Sequence, residues 1–231
     1  RWAELDDYIP NERLSHTKDA YVWLFQAMGT LHTALTKLDL AVPHPLYAPY
    51  ATPRTLRRWL PITMEAVQAD EEATIIVHLL DRLVKQCRKQ WVPATQLPCH
   101  YIHGDVRLSN IRQTPQGQTV YFDLGFLAWR PRVYELAYAL FFMLLGLGGH
   151  TTLDNFDWTF VSYLVAEYEA NANVRLTTKE RQALAPQTAS VAFYAAALDG
   201  FTEKPIENMH SRLPFLQISK WLLEHPDILL N

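Results

Sequence analysis

His103-Gly104-Asp105-Val106-Arg107-Leu108-Ser109-Asn110, followed downstream by Tyr121-Phe122-Asp123-Leu124-Gly125, decides how this chain is read. An acid and an amide five positions apart on a tight loop, with a second acid closing a hydrophobic strand, can hold a hydroxyl and a divalent cation side by side. Phosphoryl transfer requires that geometry, because its catalysis is mostly positioning and charge stabilisation. Between the two motifs, Ile111-Arg112-Gln113-Thr114 and Thr119-Val120-Tyr121-Phe122 flank the turn residues Pro115-Gln116-Gly117-Gln118. The pattern predicts a β-hairpin that presents Asp123 opposite Asn110.

Each residue of the constellation has a chemical reading and a plainer one. Asp105 is the candidate acid/base, accepting or orienting the proton of an acceptor hydroxyl; otherwise it is a turn aspartate bonded to its own backbone. Asn110 and Asp123 are candidate Mg²⁺ ligands, hard oxygen donors able to share a hydrated, phosphate-bound cation. Their alternatives are a turn residue and a helix or turn cap. Arg107 either neutralises charge on a transferred phosphoryl group or pairs with a nearby carboxylate.

His-Gly-Asp-x-x-x-x-Asn, followed by a hydrophobic strand ending in Asp, resembles the aminoglycoside phosphotransferase and choline/homoserine kinase superfamily, a branch of the protein-kinase-like fold. Two more segments carry the resemblance. Arg130-Pro131-Arg132-Val133-Tyr134-Glu135-Leu136-Ala137 is similar to the stretch after the family's metal-binding Asp, and Gly29-Thr30-Leu31-His32 to its Leu-His helix. The resemblance implies an ATP-dependent phosphotransferase that uses Mg²⁺ and acts on a small-molecule hydroxyl. It implies that Asp105 and Arg107 serve the chemistry, that Asn110 and Asp123 hold the metal, and that His103 braces the loop by hydrogen bonds. Glu135, where the family usually has Asp, would cap or brace the loop after the metal site. The family often has a second acid just after the metal-binding Asp, whereas Leu124 and Gly125 follow here.

The same resemblance implies a mainly helical α+β C-terminal lobe over residues 11–231, carrying a small catalytic hairpin. Its catalytic loop is 103–110 and its metal segment 121–125. Residues 1–10 would be the linker to an N-terminal lobe that is missing, together with its glycine-rich loop and phosphate-pairing lysine. The glycine cluster at 146–149 follows a long apolar stretch and reads as a helix terminus. The 231 residues alone are therefore expected to bind ATP weakly and to transfer nothing. Two other readings remain: a degenerate kinase that binds nucleotide or a partner without turnover, and a helical binding module whose His-Gly-Asp loop is incidental.

Apolar periodicity predicts helices over 17–38, 55–68, 70–91, 133–147, 153–170, 178–201 and 209–224. Ile75, Ile76, Leu79, Leu80, Leu83 and Val84 should share one side of the third, and His32 should be a core histidine. A net charge of −3 supplies no global field for nucleic acid or an anionic membrane. Cys87 and Cys99 suggest neither a metal cluster nor a disulfide framework, which points to a reduced, cytoplasmic protein. The apolar run 136–147 is too short to span a bilayer. Asp154, Asp157, Glu167, Glu169, Asp199 and Glu203 are scattered over the helices beyond Asp123, so the expected acceptor is smaller and less cationic than an aminoglycoside.

Overall fold

The computed structural model describes residues 9–38, 51–148 and 153–229. Most of the 1–10 linker and the prolines at 43, 45 and 49 lie outside the described residues. Thr17 opens α1 (Lys18–Leu35), its hydroxyl accepting the Ala20 N–H. The face carrying Tyr21, Leu24, Phe25 and Met28 is fully buried, as the spacing predicts. α2 (Pro53–Val67), capped by Thr52, and α3 (Glu71–Gln90), capped by Asp70, pack as a pair joined by a short turn. On α3, Ile76, Leu80, Leu83 and Val84 are buried, but Ile75 is 59% exposed and Leu79 is half-buried. The apolar stripe is wider than the contact it makes.

The strands form two small antiparallel pairs. β2 (Ile111–Gln113) and β3 (Thr119–Tyr121) are the anticipated hairpin, with Ile111 opposite Tyr121. β1 (Cys99–Ile102) pairs with β4 (Ala128–Pro131), a strand without alternating apolar residues to announce it. The catalytic loop leaves β1 and enters β2, so both sheets anchor it.

α4 (Val133–Gly146) is almost wholly apolar and buried over most of its circumference, and the chain turns at Gly148 with φ +73°. α5 (Thr159–Ala172) begins later than its pattern suggested, because Leu153–Asn155 forms only a short 3-10 turn. α6 (Thr178–Leu198) starts with a capping box between Thr177 and Glu180 and runs through the core against α4 and α8. The expected helix over 209–224 is two helices, α7 (Pro205–His210) and α8 (Leu213–Glu224). Pro214 lacks an N–H and its ring would clash with a preceding helical turn, so it sits in the first turn of a new helix. No described helix is long and apolar enough to cross a membrane.

The closest helix pair is α1 on α5, where Gly29 lets the backbones touch. A Cβ at position 29 would lie 2.8 Å from both Ala172 N and Tyr168 O. Gly29→Ala is expected to cost about 1–3 kcal/mol by overpacking, read as a lowered urea midpoint with an unchanged slope. An unchanged midpoint would show that α1 and α5 separate freely.

Candidate active site

β1 delivers the chain into the core at Ile102, and the next two residues have their N–H groups taken by one side chain. His103 N donates to Glu135 Oε2 at 3.0 Å and Gly104 N to Glu135 Oε1 at 2.5 Å. Gly104 has φ +88°, and any side chain there would strike the Phe126 backbone, so glycine is required. Glu135, in the first turn of α4, also accepts from His32 Nε2 of α1 at 2.7 Å, while His32 Nδ1 bonds the Tyr168 hydroxyl. Burial alone would push the Glu135 carboxyl up. The hydrogen bond and charge of His32, with the Gly104 N–H, hold it below the usual range. Glu135 thus braces the catalytic loop itself rather than the loop after Asp123.

His103 is fully buried. Its Nε2–H donates to the Phe122 carbonyl at 2.8 Å, which leaves Nδ1 as the acceptor of the Asp105 N–H at 3.3 Å. The ring therefore ties the strand that ends in Asp123 to the loop that holds Asp105. Asp105 is buried, with Oδ1 accepting the Tyr138 hydroxyl at 2.5 Å and Oδ2 accepting Asn110 Nδ2 at 2.7 Å and Arg107 at 3.1 Å. Its contacts are side-chain partners from two elements, not a local turn. Burial and the nearby Asp105 charge push the Tyr138 hydroxyl pKa up, so it stays a proton donor.

Asn110 Nδ2 also donates to the Asp105 carbonyl at 3.0 Å, which fixes the amide so that Oδ1 is its remaining polar atom. Among the described residues that oxygen accepts only the Ser109 hydroxyl, at 3.1 Å. The Phe122 N–H donates to the Asn110 carbonyl, placing Asn110 and Asp123 at the same end of the hairpin. Asp123 sits in the left-handed region at φ +59°, is exposed, and caps nothing with its side chain. Asp tolerates that conformation better than most residues, and such strain clusters at functional sites. An amide oxygen and a free carboxylate are the hard donors that Mg²⁺ takes, with water and phosphate completing its shell. Among the described residues no group of three or more His, Cys, Asp or Glu could cage a metal.

Beside Arg107, the ion-pair partner of Asp105, lies a cleft of about 310 Å³ lined by Arg13, Leu14, His16, Tyr21, Arg107, Leu108, Ser109 and Phe142. Arg107 stacks over the Phe142 ring at 5.7 Å, and its buried Nε has no partner among the described residues. Sequence reasoning left Tyr138, Arg13 and His16 without a role. The only signal for Tyr138 was a polar tip breaking an apolar run, one helical turn after Glu135.

A mainly helical lobe with a loop braced in this way, beside an asparagine and an exposed aspartate, is that of a protein-kinase-like phosphotransferase fold. The phosphotransferase enzyme family model matches residues 3–169, more than half of the chain, and the chain belongs to that family. No curated protein matches the sequence. Among solved structures, the fold is similar to an aminopropanol kinase associated with a microcompartment (17% identity, 93% of this chain and 65% of that one, TM-score 0.63). It is also similar to an ethanolamine kinase of Plasmodium vivax (13%, 95% and 63%, 0.58) and to an aminoglycoside phosphotransferase of Alicyclobacillus acidocaldarius (13%, 95% and 70%, 0.56). The chain thus spans just under two thirds of the length of the two small-molecule kinases.

Removing the Glu135 carboxylate strands two backbone donors and the His32 imidazole in the core, so Glu135→Ala should cost about 3–5 kcal/mol, the scale of a broken buried pair. A second expectation concerns acid. Burial, followed by the charge of nearby His32, pushes His100 down from its ordinary value of 6.5 to about 4. The unfolded chain then takes up this proton first, so stability falls as pH drops from 6.5 towards about 4 and levels off below. Urea titrations across that range should show a shallower fall for His100→Gln; an identical profile would remove His100 as the cause.

Proposed function

We propose that this chain is the catalytic lobe of an ATP-dependent phosphotransferase acting on a small-molecule hydroxyl. The observation that carries the reading is Asp105, buried, fixed through both carboxylate oxygens and paired with Arg107, which lines a cleft. A carboxylate has about four acceptor sites. Tyr138, Arg107 and Asn110 take three, and the fourth remains for an acceptor hydroxyl. As the acceptor oxygen bonds to the γ-phosphorus and the bond to the bridging oxygen of ADP breaks, Asp105 orients the hydroxyl and takes its proton. Arg107 supplies positive charge beside that point, with a spare buried N–H for a phosphoryl oxygen. Asn110 Oδ1 and Asp123 would hold the Mg²⁺, which neutralises charge on the donor phosphates.

The acceptor is small and not a polycation. Five of the six scattered acids beyond Asp123 that would attract one are engaged within the fold, and Glu203 is exposed. Asp157 pairs with Lys18, Glu169 with Arg175 and Arg181, and Asp199 with Arg212, while Glu167 accepts from Gln26 and Asp154 from Trp221. The described charged residues of the cleft beside Asp105 are basic.

In the full-length protein with ATP and Mg²⁺, Asp105→Asn should lower kcat by about 100-fold or more while leaving nucleotide affinity nearly unchanged. Equal turnover in the variant would take Asp105 out of the mechanism. Asp123→Ala should instead weaken Mg²⁺-dependent thermal stabilisation by nucleotide, and more than Asn110→Ala does, because it removes a charge. A panel of hydroxyl compounds tests the acceptor. Neutral or weakly charged alcohols should be phosphorylated with higher kcat/KM than kanamycin-like polyamines, and the reverse order would reject this acceptor class while leaving the transferase standing.

A further inference from the structure

A second cleft, of about 510 Å³, lies between α2 and α3, and its described lining is four arginines: Arg54, Arg57, Arg58 and Arg88. Arg54, Arg57 and Arg58 are spaced i, i+3, i+4, so they project from one side of α2, opposite the buried Leu56, Leu60 and Val67. Arg88 comes from the last turn of α3, which the short turn at 68–70 brings back beside the start of α2. Arg107, Arg132, Arg175, Arg181 and Arg212 each pair with a carboxylate. None of the four cleft arginines pairs with a carboxylate among the described residues.

This arrangement costs free energy as it stands. Four like charges repel one another, and one of them, Arg54, lies in the first turn of α2, at the positive end of its dipole, where no acid offsets it. Guanidiniums accept phosphate oxygens through paired N–H donors, so a cleft walled by four of them can bind several at once. A space of this volume matches small-molecule sites, and compensating four cations within it requires a ligand of high charge density. Linked phosphate groups meet that need better than a mono- or dicarboxylate.

We infer that the α2–α3 cleft binds a soluble oligophosphate group, at a site separate from the Asp105 cleft and independent of the phosphotransferase reading. Its walls share no described residue with the cleft beside Asp105. The probe is inorganic tripolyphosphate, titrated calorimetrically into the 231-residue chain at about 150 mM salt, where long-range surface attraction is screened. One site per chain is expected. Affinity should fall at least tenfold in Arg57→Gln/Arg88→Gln, with the melting temperature kept within a few degrees, and should be largely retained in the control Arg82→Gln/Lys89→Gln.

Arg107→Gln separates the two clefts. Unchanged affinity in that variant supports the α2–α3 site, whereas loss there with retention in Arg57→Gln/Arg88→Gln overturns the inference and moves the anion beside Asp105. Equal losses in the target and control variants, or several weak sites per chain, would mean a diffuse surface charge and would also overturn it. Binding to phosphatidylglycerol vesicles that depends on Arg57 and Arg88, with no tripolyphosphate binding, would assign the cleft to a membrane instead and reject the soluble ligand.

Discussion

One buried carboxylate holds the candidate site together. Glu135 stands on the first turn of α4 and receives protons from three directions: the His32 ring of α1 and the backbone N–H groups of His103 and Gly104. Burying an ionised carboxylate is costly unless its oxygens are fully used. Here the donors offset that cost, and the bond pattern fixes helix, loop and neighbouring helix in one arrangement. Tyr168 extends the chain of contacts through His32 to α5, where Gly29 already brings α1 and α5 into backbone contact. The 103–110 loop is therefore held by α1 and α4 as well as by its own internal bonds.

From that anchor the site divides into a fixed side and an open side. Asp105 is immobilised by Tyr138, Asn110 and Arg107, and His103 locks the backbone on which it rides by joining the loop to the Phe122 carbonyl. Asp123, one residue later, is exposed in a left-handed conformation and has no capping duty. On the proposed function, a fixed carboxylate at Asp105 and an exposed one at Asp123 would suit a reaction driven by positioning and electrostatics. The two halves are coupled through one imidazole, whose tautomer follows from its two backbone partners.

Charge is sorted across the molecule in a way that the net value conceals. Two acids of the helical region are spent on internal partners: Asp199 and Glu169 are almost fully buried, each against arginine. Among the described residues, positive charge without a carboxylate partner is left on the α2–α3 face, while Arg107 beside Asp105 keeps a buried N–H without a partner.

By itself the sequence determined the local features: the apolar face of α1, the β2–β3 hairpin and the order of the family's motifs. Each is set by residues a few positions apart, through periodicity and turn chemistry that act within one element. It also marked Asp105, Asn110 and Asp123 as residue types able to serve a phosphoryl-transfer site. Only the tertiary structure decided that Glu135 braces the catalytic loop, that Tyr138 holds Asp105, that β4 completes a sheet with β1, and that four arginines from two helices face one cleft. The physical reason is separation along the chain: the His32–Glu135 bond joins residues 103 positions apart, and the Tyr138–Asp105 bond 33. A pattern read within one helix shows which face is apolar, but not which distant donor will meet a carboxylate once that face is buried.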